Sequence, residues 1–344
     1  MTNFVPLLEL VQSKVTSPVL IVQGSPWPVT LLVGHLALAK HTVTCFQMDV
    51  FQATRLREKL VQENQTAEVL LHPDLWDVAS KFQTIIYPAL AQSDRELKLD
   101  MVEQGFHVLE EGGKFITLSE YERDTLFAKA QKKVFGKCGE TPRSEFGMAF
   151  YSTRTGDHPR RRHEITFHAK INDRPSMHFI SWPGTFGYGR MDEGSRTMLE
   201  VADVRAGDKV LDMGCGNGTV GCLASQQCGP RGFVTFIDSN ARAVRLSELN
   251  AQANKVTNAE FILNADMSVL KQGEYDVVLA NPPYYANSEV ARMFITTARD
   301  LLRPGGRFYF VTRMPVQTIP EIVDYFGEVE SVENRGFTVV IARA

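Results

Sequence analysis

The sequence is poor in the patterns that build metal and redox centres. Its 5 cysteines, Cys45, Cys138, Cys215, Cys222 and Cys228, form no CxxC pair and no disulfide framework, and its 8 histidines show no HxxxH or HExxH spacing. No structural metal is expected, and cysteine usage of this kind fits a reducing cytosol. No apolar run reaches the roughly 20 residues of a membrane-spanning helix. The start, MTNFVPLLELVQSK, lacks a basic segment followed by an apolar core, so no secretory signal is read. An excess of positive charge is missing too. With a net charge of −3, any attraction to nucleic acid must come from local patches, such as Arg160 to Arg162 or Lys129, Lys132 and Lys133. Either group reads equally as a solvated face or turn.

What is present is a soluble globular composition in a chain long enough for two domains. Strands alternate with helices, which predicts an α/β fold with a mostly parallel sheet covered on both faces. The rhythm occurs twice. In the second half DKVLDMGCGNGTVG is strand, glycine loop and helix start, GFVTFIDSNARAVRLSELN a second strand and helix, and YDVVLANPPYY a later strand with its loop. In the first half SPVLIVQGSPWP, HTVTCFQMDVFQATRLREKL and FQTIIYPALAQSD follow the same order. EEGGKF (Glu110 to Phe115) and RPGGRF (Arg303 to Phe308) are the clearest match. A duplicated unit is therefore expected. Between the halves Gly156, Pro159 and the arginine run mark a loop, and HEITFHAKI alternates as a strand should.

The glycine loop, VLDMGCGNGTVG, admits two chemistries. Gly216, Gly218 and Gly221 fit GxGxxG, and Asp238 lies 20 residues beyond Gly218, which is the arithmetic of a dinucleotide site. Asp212 opposes that reading. A carboxylate at the strand end, two residues before Gly214, repels a pyrophosphate and suits a ligand carrying an amino group and a sulfonium. Loop residues Gly214, Cys215, Gly216, Asn217 and Gly218 would then approach the ligand. Asp238 would accept ribose hydroxyls, Asp266 an adenine amino group, and Met267 would pack on the adenine.

The segment VVLANPPYYANS carries the second argument. An exocyclic amine on a planar ring is a poor nucleophile because its lone pair is delocalised. Two acceptors binding its two hydrogens aim that lone pair. The Asn281 side-chain oxygen and the Pro282 carbonyl supply two, with proline fixing the backbone. Tyr284 offers a stacking face, and Tyr285 either does the same or packs inward. No strong base is needed, because the amine becomes acidic as it is alkylated. Guanine, adenine and glutamine amides are all planar NH2 groups, and the motif does not choose among them.

Taken in order, VLDMGCGNG, FID, NAD and NPPY resemble a class I S-adenosylmethionine-dependent methyltransferase. Upstream, WPGTFGYGRMDEGSRTMLE (Trp182 to Glu200) is similar to the lead-in of the bacterial rRNA guanine-N2 methyltransferases, matching at Arg190, Asp192 and Gly194, with Met191 for the usual leucine. The likeness is strong from about Phe179 onward and weak before it. It implies two tandem Rossmann-like methyltransferase domains with seven-stranded sheets, the first degenerate. The expected division is 1–152, a degenerate domain without cofactor, 153–174, a linker or hairpin, and 175–344, the catalytic domain. It implies S-adenosylmethionine as cofactor, ribosomal RNA or a ribosomal subunit as partner, a cytoplasmic location, and substrate contacts from Arg190, Asp192, Pro283 and Tyr285. It leaves the oligomeric state open. The family often has phenylalanine at Tyr284 and histidine at Tyr285, which loosens the choice of base. The alternatives are adenine N6 or glutamine methylation, or an RNA-binding assembly module without catalysis. In the first half Tyr87-Pro88-Ala89-Leu90 is expected to replace Asn-Pro-Pro-Tyr, and Pro26 and Trp27 to obstruct a cofactor.

Overall fold

The computed structural model describes residues 3–90, 94–161, 163–282 and 288–344. The chain divides into two compact units, Met1–His163 and Glu164–Ala344. The first contains strands β1 (Val19–Val22), β2 (Val43–Gln47), β3 (Glu68–Leu71), β4 (Phe82–Ala89), β5 (Leu109–Ser119), β6 (Gly139–Glu140) and β7 (Met148–Thr153), and helices α1 (Val5–Glu9), α2 (Pro26–Leu38), α3 (Val50–Gln62), α4 (Arg95–Val108) and α5 (Leu126–Phe135). The second opens on a hairpin of β8 (Ile165–Ala169) and β9 (Met177–Ser181). It continues with β10 (Lys209–Met213), β11 (Phe233–Asp238), β12 (Ala259–Leu263), β13 (Tyr275–Ala280), β14 (Leu302–Thr312), β15 (Val329–Asn334) and β16 (Phe337–Arg343). Its helices are α6 (Glu193–Val201), α7 (Thr219–Cys228), α8 (Ala241–Ala253), α9 (Ser288–Leu301) and α10 (Pro315–Phe326).

Each unit builds a 7-stranded sheet, ordered β3-β2-β1-β4-β5-β7-β6 in the first and β12-β11-β10-β13-β14-β16-β15 in the second, the same permutation twice. Five strands of each run parallel and the last two pair antiparallel. Even the irregularities coincide. The ladder slips between Phe82 and Thr84 in β4 and between Tyr275 and Val277 in β13. Opposite each slip a glycine holds a positive φ, +79° at Gly112 and +77° at Gly305, a conformation that disfavours any side chain. The matched EEGGKF and RPGGRF segments are thus one structural device used twice.

The strand read in HEITFHAKI is β8, antiparallel to β9. The boundary between the units falls after His163, so this hairpin lies within the second unit and not in a separate 153–174 linker. In the arginine run, Arg160 donates to the Trp76 carbonyl and lies 5.3 Å over that ring, while Arg162 lies outside the described residues. Lys129, Lys132 and Lys133 form a solvated face of α5.

Strand pleating explains the two cores of the second unit. Val277 and Leu279 enter one cluster with Val210, Phe236 and Val311, while Val278 and Ala280 enter the other with Leu211, Met213 and Phe310. Such two-faced burial is what near-continuous apolar strands demand. It leaves the strand ends at one edge of the sheet, where the strand order reverses between β10 and β13, as the place for polar chemistry.

Candidate active site at the carboxyl ends of the second sheet

Gly214, Gly216 and Gly218 all hold positive φ, at +76°, +56° and +76°. The loop turns tightly between β10 and α7, and its amides are held from two sides. Asp238, the last residue of β11, accepts from Gly216 N–H at 2.9 Å and from Asn240 N–H at 2.8 Å. Asn217 Oδ1 accepts from the Thr219 hydroxyl at 2.6 Å and from Thr219 N–H at 3.2 Å. Cys215 is buried, accepts from the Ser247 hydroxyl at 3.2 Å, and has its thiol pushed well above the usual range, first by burial. It is a packing residue and no nucleophile.

Asp212 is the unusual group. It is 3% exposed and points to the α7 side, where its carboxylate accepts from Gly221 N–H at 2.8 Å. Burial pushes its pKa up to about 7, the Gly221 hydrogen bond opposes this, and the charge of Asp238 adds to it. A carboxylate held half-neutral in this way is poised to become fully ionised beside a cation.

Asn281 follows β13, and its amide is fixed by the lead-in segment. Its Nδ2 donates to Asp192 Oδ2 at 2.9 Å and to Ser195 Oγ at 2.8 Å. A carboxylate only accepts, so this pairing determines which end of the amide is nitrogen. Asp192 is itself the N-cap of α6 and accepts from Ser195 N–H at 2.8 Å. The side-chain oxygen of Asn281 is therefore the end turned away from α6. Asp192, expected from the resemblance to touch substrate, holds Asn281 and lines the same small space. Ser195 was not singled out in the sequence. A carboxylate three residues before a serine signals a helix cap, but nothing in that spacing names a partner 86 residues away.

Phe186, Gly187, Arg190, Asp212, Asn217 and Asn281 are among the walls of a space of about 20 Å³, enough for one small group. Arg190 is exposed on its rim. Asp238 and Asp266 are not among those walls and stand at the ends of the neighbouring strands. Asp266 is exposed, and the Ser268 hydroxyl, at 2.7 Å, and N–H hold its carboxyl below the usual range. Met267 takes a φ of +59° and packs into the core with Met213, Ile237 and Leu270. Pro282 is buried. Pro283, Tyr284 and Tyr285 lie outside the described residues.

The lead-in loop is anchored by α8. Arg242, 1% exposed, donates to the Pro183 carbonyl at 2.6 Å. One turn of helix apart, Asn250 and Asn254 exchange hydrogen bonds with the backbone of Ile180 and His178 on the edge of β9, at 2.7–3.0 Å. Asparagine amides thus replace the missing neighbour strand.

The first unit differs at each corresponding position. Ile21 pairs with Ile86 as Asp212 pairs with Leu279, so Ile21 stands where Asp212 does. Two residues beyond Ile86 is Pro88, and two beyond Leu279 is Asn281. The counterpart of Asn281 is therefore Pro88 and not Tyr87, one place from the expected alignment. Gln47 stands where Asp238 does and donates to the Gly24 carbonyl at 3.0 Å, reversing the direction of that hydrogen bond. Trp27 does not obstruct this place. It is 40% exposed and lies under Lys59 of α3.

A family model, the methyltransferase small domain, matches residues 176–341. The ribosomal RNA small subunit methyltransferase C of Pseudomonas entomophila is 30% identical over 50% of this chain and 52% of its own length. The ribosomal RNA large subunit methyltransferase G of Yersinia pestis is 26% identical over 50% of this chain and 49% of its own. The chain spans about half the length of the curated relatives it matches. Among solved structures, a T. thermophilus 16S rRNA N2 methyltransferase in complex with AdoMet and guanosine is similar over 98% of this chain and 91% of that one, with a TM-score of 0.78 and 19% identity. That likeness extends across both units and concerns the fold. Residues 176–341 are thus similar to the methyltransferase small domain family, and the chain shares its fold with the T. thermophilus methyltransferase structure.

Proposed function

We propose that the second unit transfers a methyl group from S-adenosylmethionine to the exocyclic N2 amine of a guanine in ribosomal RNA. The observation that carries this reading is the Asn281 amide, locked by Asp192 and Ser195 with its oxygen turned away from them. The names of the relatives add the substrate class.

The residues fit the cofactor. Asp212 offers a buried carboxylate to a cationic group, the glycine loop offers backbone, and Asp238 and Asp266 stand after successive strands for the ribose and the base. When bound, S-adenosylmethionine supplies a methyl group made electrophilic by its sulfonium. Asn281 Oδ1 and the Pro282 carbonyl accept the two amine hydrogens, so that the nitrogen lone pair faces the methyl group. The chain's own part would be to hold the amine in this orientation while it takes the methyl group, and to let its extra proton pass to solvent. Positive charge grows on the nitrogen, so both hydrogen bonds strengthen in the transition state. The guanine would leave its stack to enter, with Tyr284, Tyr285, Pro283 and Arg190 as its contacts. The first unit would bind no cofactor, since Ile21, Gln47 and Pro88 lack the required groups. The setting would be cytoplasmic.

Methyl-labelled S-adenosylmethionine should be incubated with the protein and with naked rRNA, each ribosomal subunit, or a protein extract, all from cells lacking the gene. N2-methylguanosine from one rRNA is the expected product. Label in N6-methyladenosine or in a polypeptide would overturn the substrate.

A further inference from the structure

A second open cavity lies in the first unit. It encloses about 540 Å³ between the starts of α2 and α3. Its walls include Trp27 and Phe51, 40% and 52% exposed, and the basic residues Arg55 and Lys59. Lys59 Nζ lies 5.1 Å from the Trp27 ring centre, and the Arg55 guanidinium lies 5.7 Å from that of Phe51.

The second unit shows what ordinarily becomes of this face. Phe51 is the second residue of α3, as Arg242 is of α8. There the lead-in loop covers the face. Arg242 is buried under Pro183, Asn217 donates to the Gly187 carbonyl at 3.3 Å, and a side chain at Gly216 would meet Phe186 at 3.5 Å. The first unit has the same sheet order but no counterpart of the β8–β9 hairpin among its described residues. It leaves this face open, with the exposed Phe51 ring where the covered face carries the buried Arg242, and with Trp27 beside it.

We propose that this open face is a docking site for single-stranded RNA, taking an unstacked base between Trp27 and Phe51 and its phosphates on Arg55 and Lys59. The proposal rests on the reading of the chain as an RNA methyltransferase. Aromatic faces bind any base by stacking, and cations on the ring rims are placed to follow the backbone. Glu58 pairs with Arg55 at 3.8 Å and Glu63 with Lys59 at 2.9 Å. The first is an exposed helix pair and the second a half-exposed one, and such pairs are weak and exchange for a phosphate. The chain as a whole has a net charge of −3, which does not favour RNA, so attraction must come from local sites of this kind.

Tryptophan fluorescence tests the site in the full chain. Trp76 and Trp182 are 5% and 7% exposed, so quenching by a soluble ligand reports Trp27. The probe is a mixed-sequence oligoribonucleotide of about ten nucleotides, within the span of common single-strand sites. Stacking predicts quenching on titration. Trp27→Phe should keep the affinity, read by oligonucleotide anisotropy, and lose the quenching. Trp27→Ala with Phe51→Ala should weaken binding about tenfold. Arg55→Gln with Lys59→Gln, which leaves the apolar surface alone, should lower the salt dependence of binding. With rRNA as substrate, the double alanine variant should raise KM while keeping kcat and S-adenosylmethionine affinity. Unquenched fluorescence in the wild type, or wild-type affinity in the double alanine variant, would overturn the site. RNA methylation that persists alongside either result leaves the proposed function standing. Quenching without any RNA methylation would keep the site and sink the function.

Discussion

At the scale of single residues, two side chains carry the sharpest expectations. Removing the Asn281 amide deletes one acceptor that strengthens only in the transition state, so Asn281→Ala should lower turnover by roughly a hundredfold or more. Cofactor affinity, measured by calorimetry, should be unchanged, and near-normal turnover would remove Asn281 from the mechanism. Ser195→Ala should act through Asn281. It removes one of the two acceptors of Nδ2, so turnover should fall by a smaller factor while KM for RNA stays constant. Asp212 supplies a pH dependence. Its folded pKa, about 7, lies above its unfolded value, so its contribution to stability is present below about pH 4 and is lost as pH rises towards 7. A bound cation favours the ionised form. Affinity for S-adenosylmethionine should therefore rise roughly tenfold per pH unit below 7 and then level off. Asp212→Asn should bind weakly and without that slope. A flat profile in the wild type would contradict a cation beside Asp212.

At the scale of elements, the site depends on segments that hold one another. Helix α6 holds Asn281 through its own N-cap, and α8 holds the lead-in loop through the edge of β9. Asn250 makes three of these bonds, to Ile180 N–H and C=O and to the Asn217 carbonyl, at 2.8–2.9 Å. Asn250→Ala leaves buried backbone groups unpaired, and should destabilise the second unit by about 1–3 kcal/mol. Thermal unfolding checks the stability, and a raised KM for S-adenosylmethionine would show that the glycine loop has loosened with it. Gly218 is constrained differently. Its φ is +76°, and an added Cβ would lie 2.8 Å from Ser247 Cα, so Gly218→Ala must shift backbone and not merely a side chain. Comparable stability of that variant would contradict the close packing of α7 on α8.

At the scale of the whole molecule, the chain uses one sheet plan twice and arms it once. The difference lies in three positions: Ile21, Gln47 and Pro88 against Asp212, Asp238 and Asn281. Calorimetry on the full chain should find one S-adenosylmethionine site. Asp238→Ala should weaken that site without exposing another, and a stoichiometry of two would show that the first unit binds cofactor without a carboxylate.

The alternation of apolar strands with helices, the paired double-glycine turns and the run from Asp212 to Asn281 are local patterns, and local patterns are what a sequence displays. They determined the α/β class, the repeat and the strand ends that carry the chemistry. Contacts between distant segments have no local signature. The tertiary structure alone decided that Asp192 and Ser195 orient Asn281, that Gln47 reverses the hydrogen bond made by Asp238, and that Pro88 takes the place of the amide. It also decided that Trp27 faces outward. Each depends on strand register and helix packing, where a shift of one residue changes the partner, and register is set by the folded sheet as a whole.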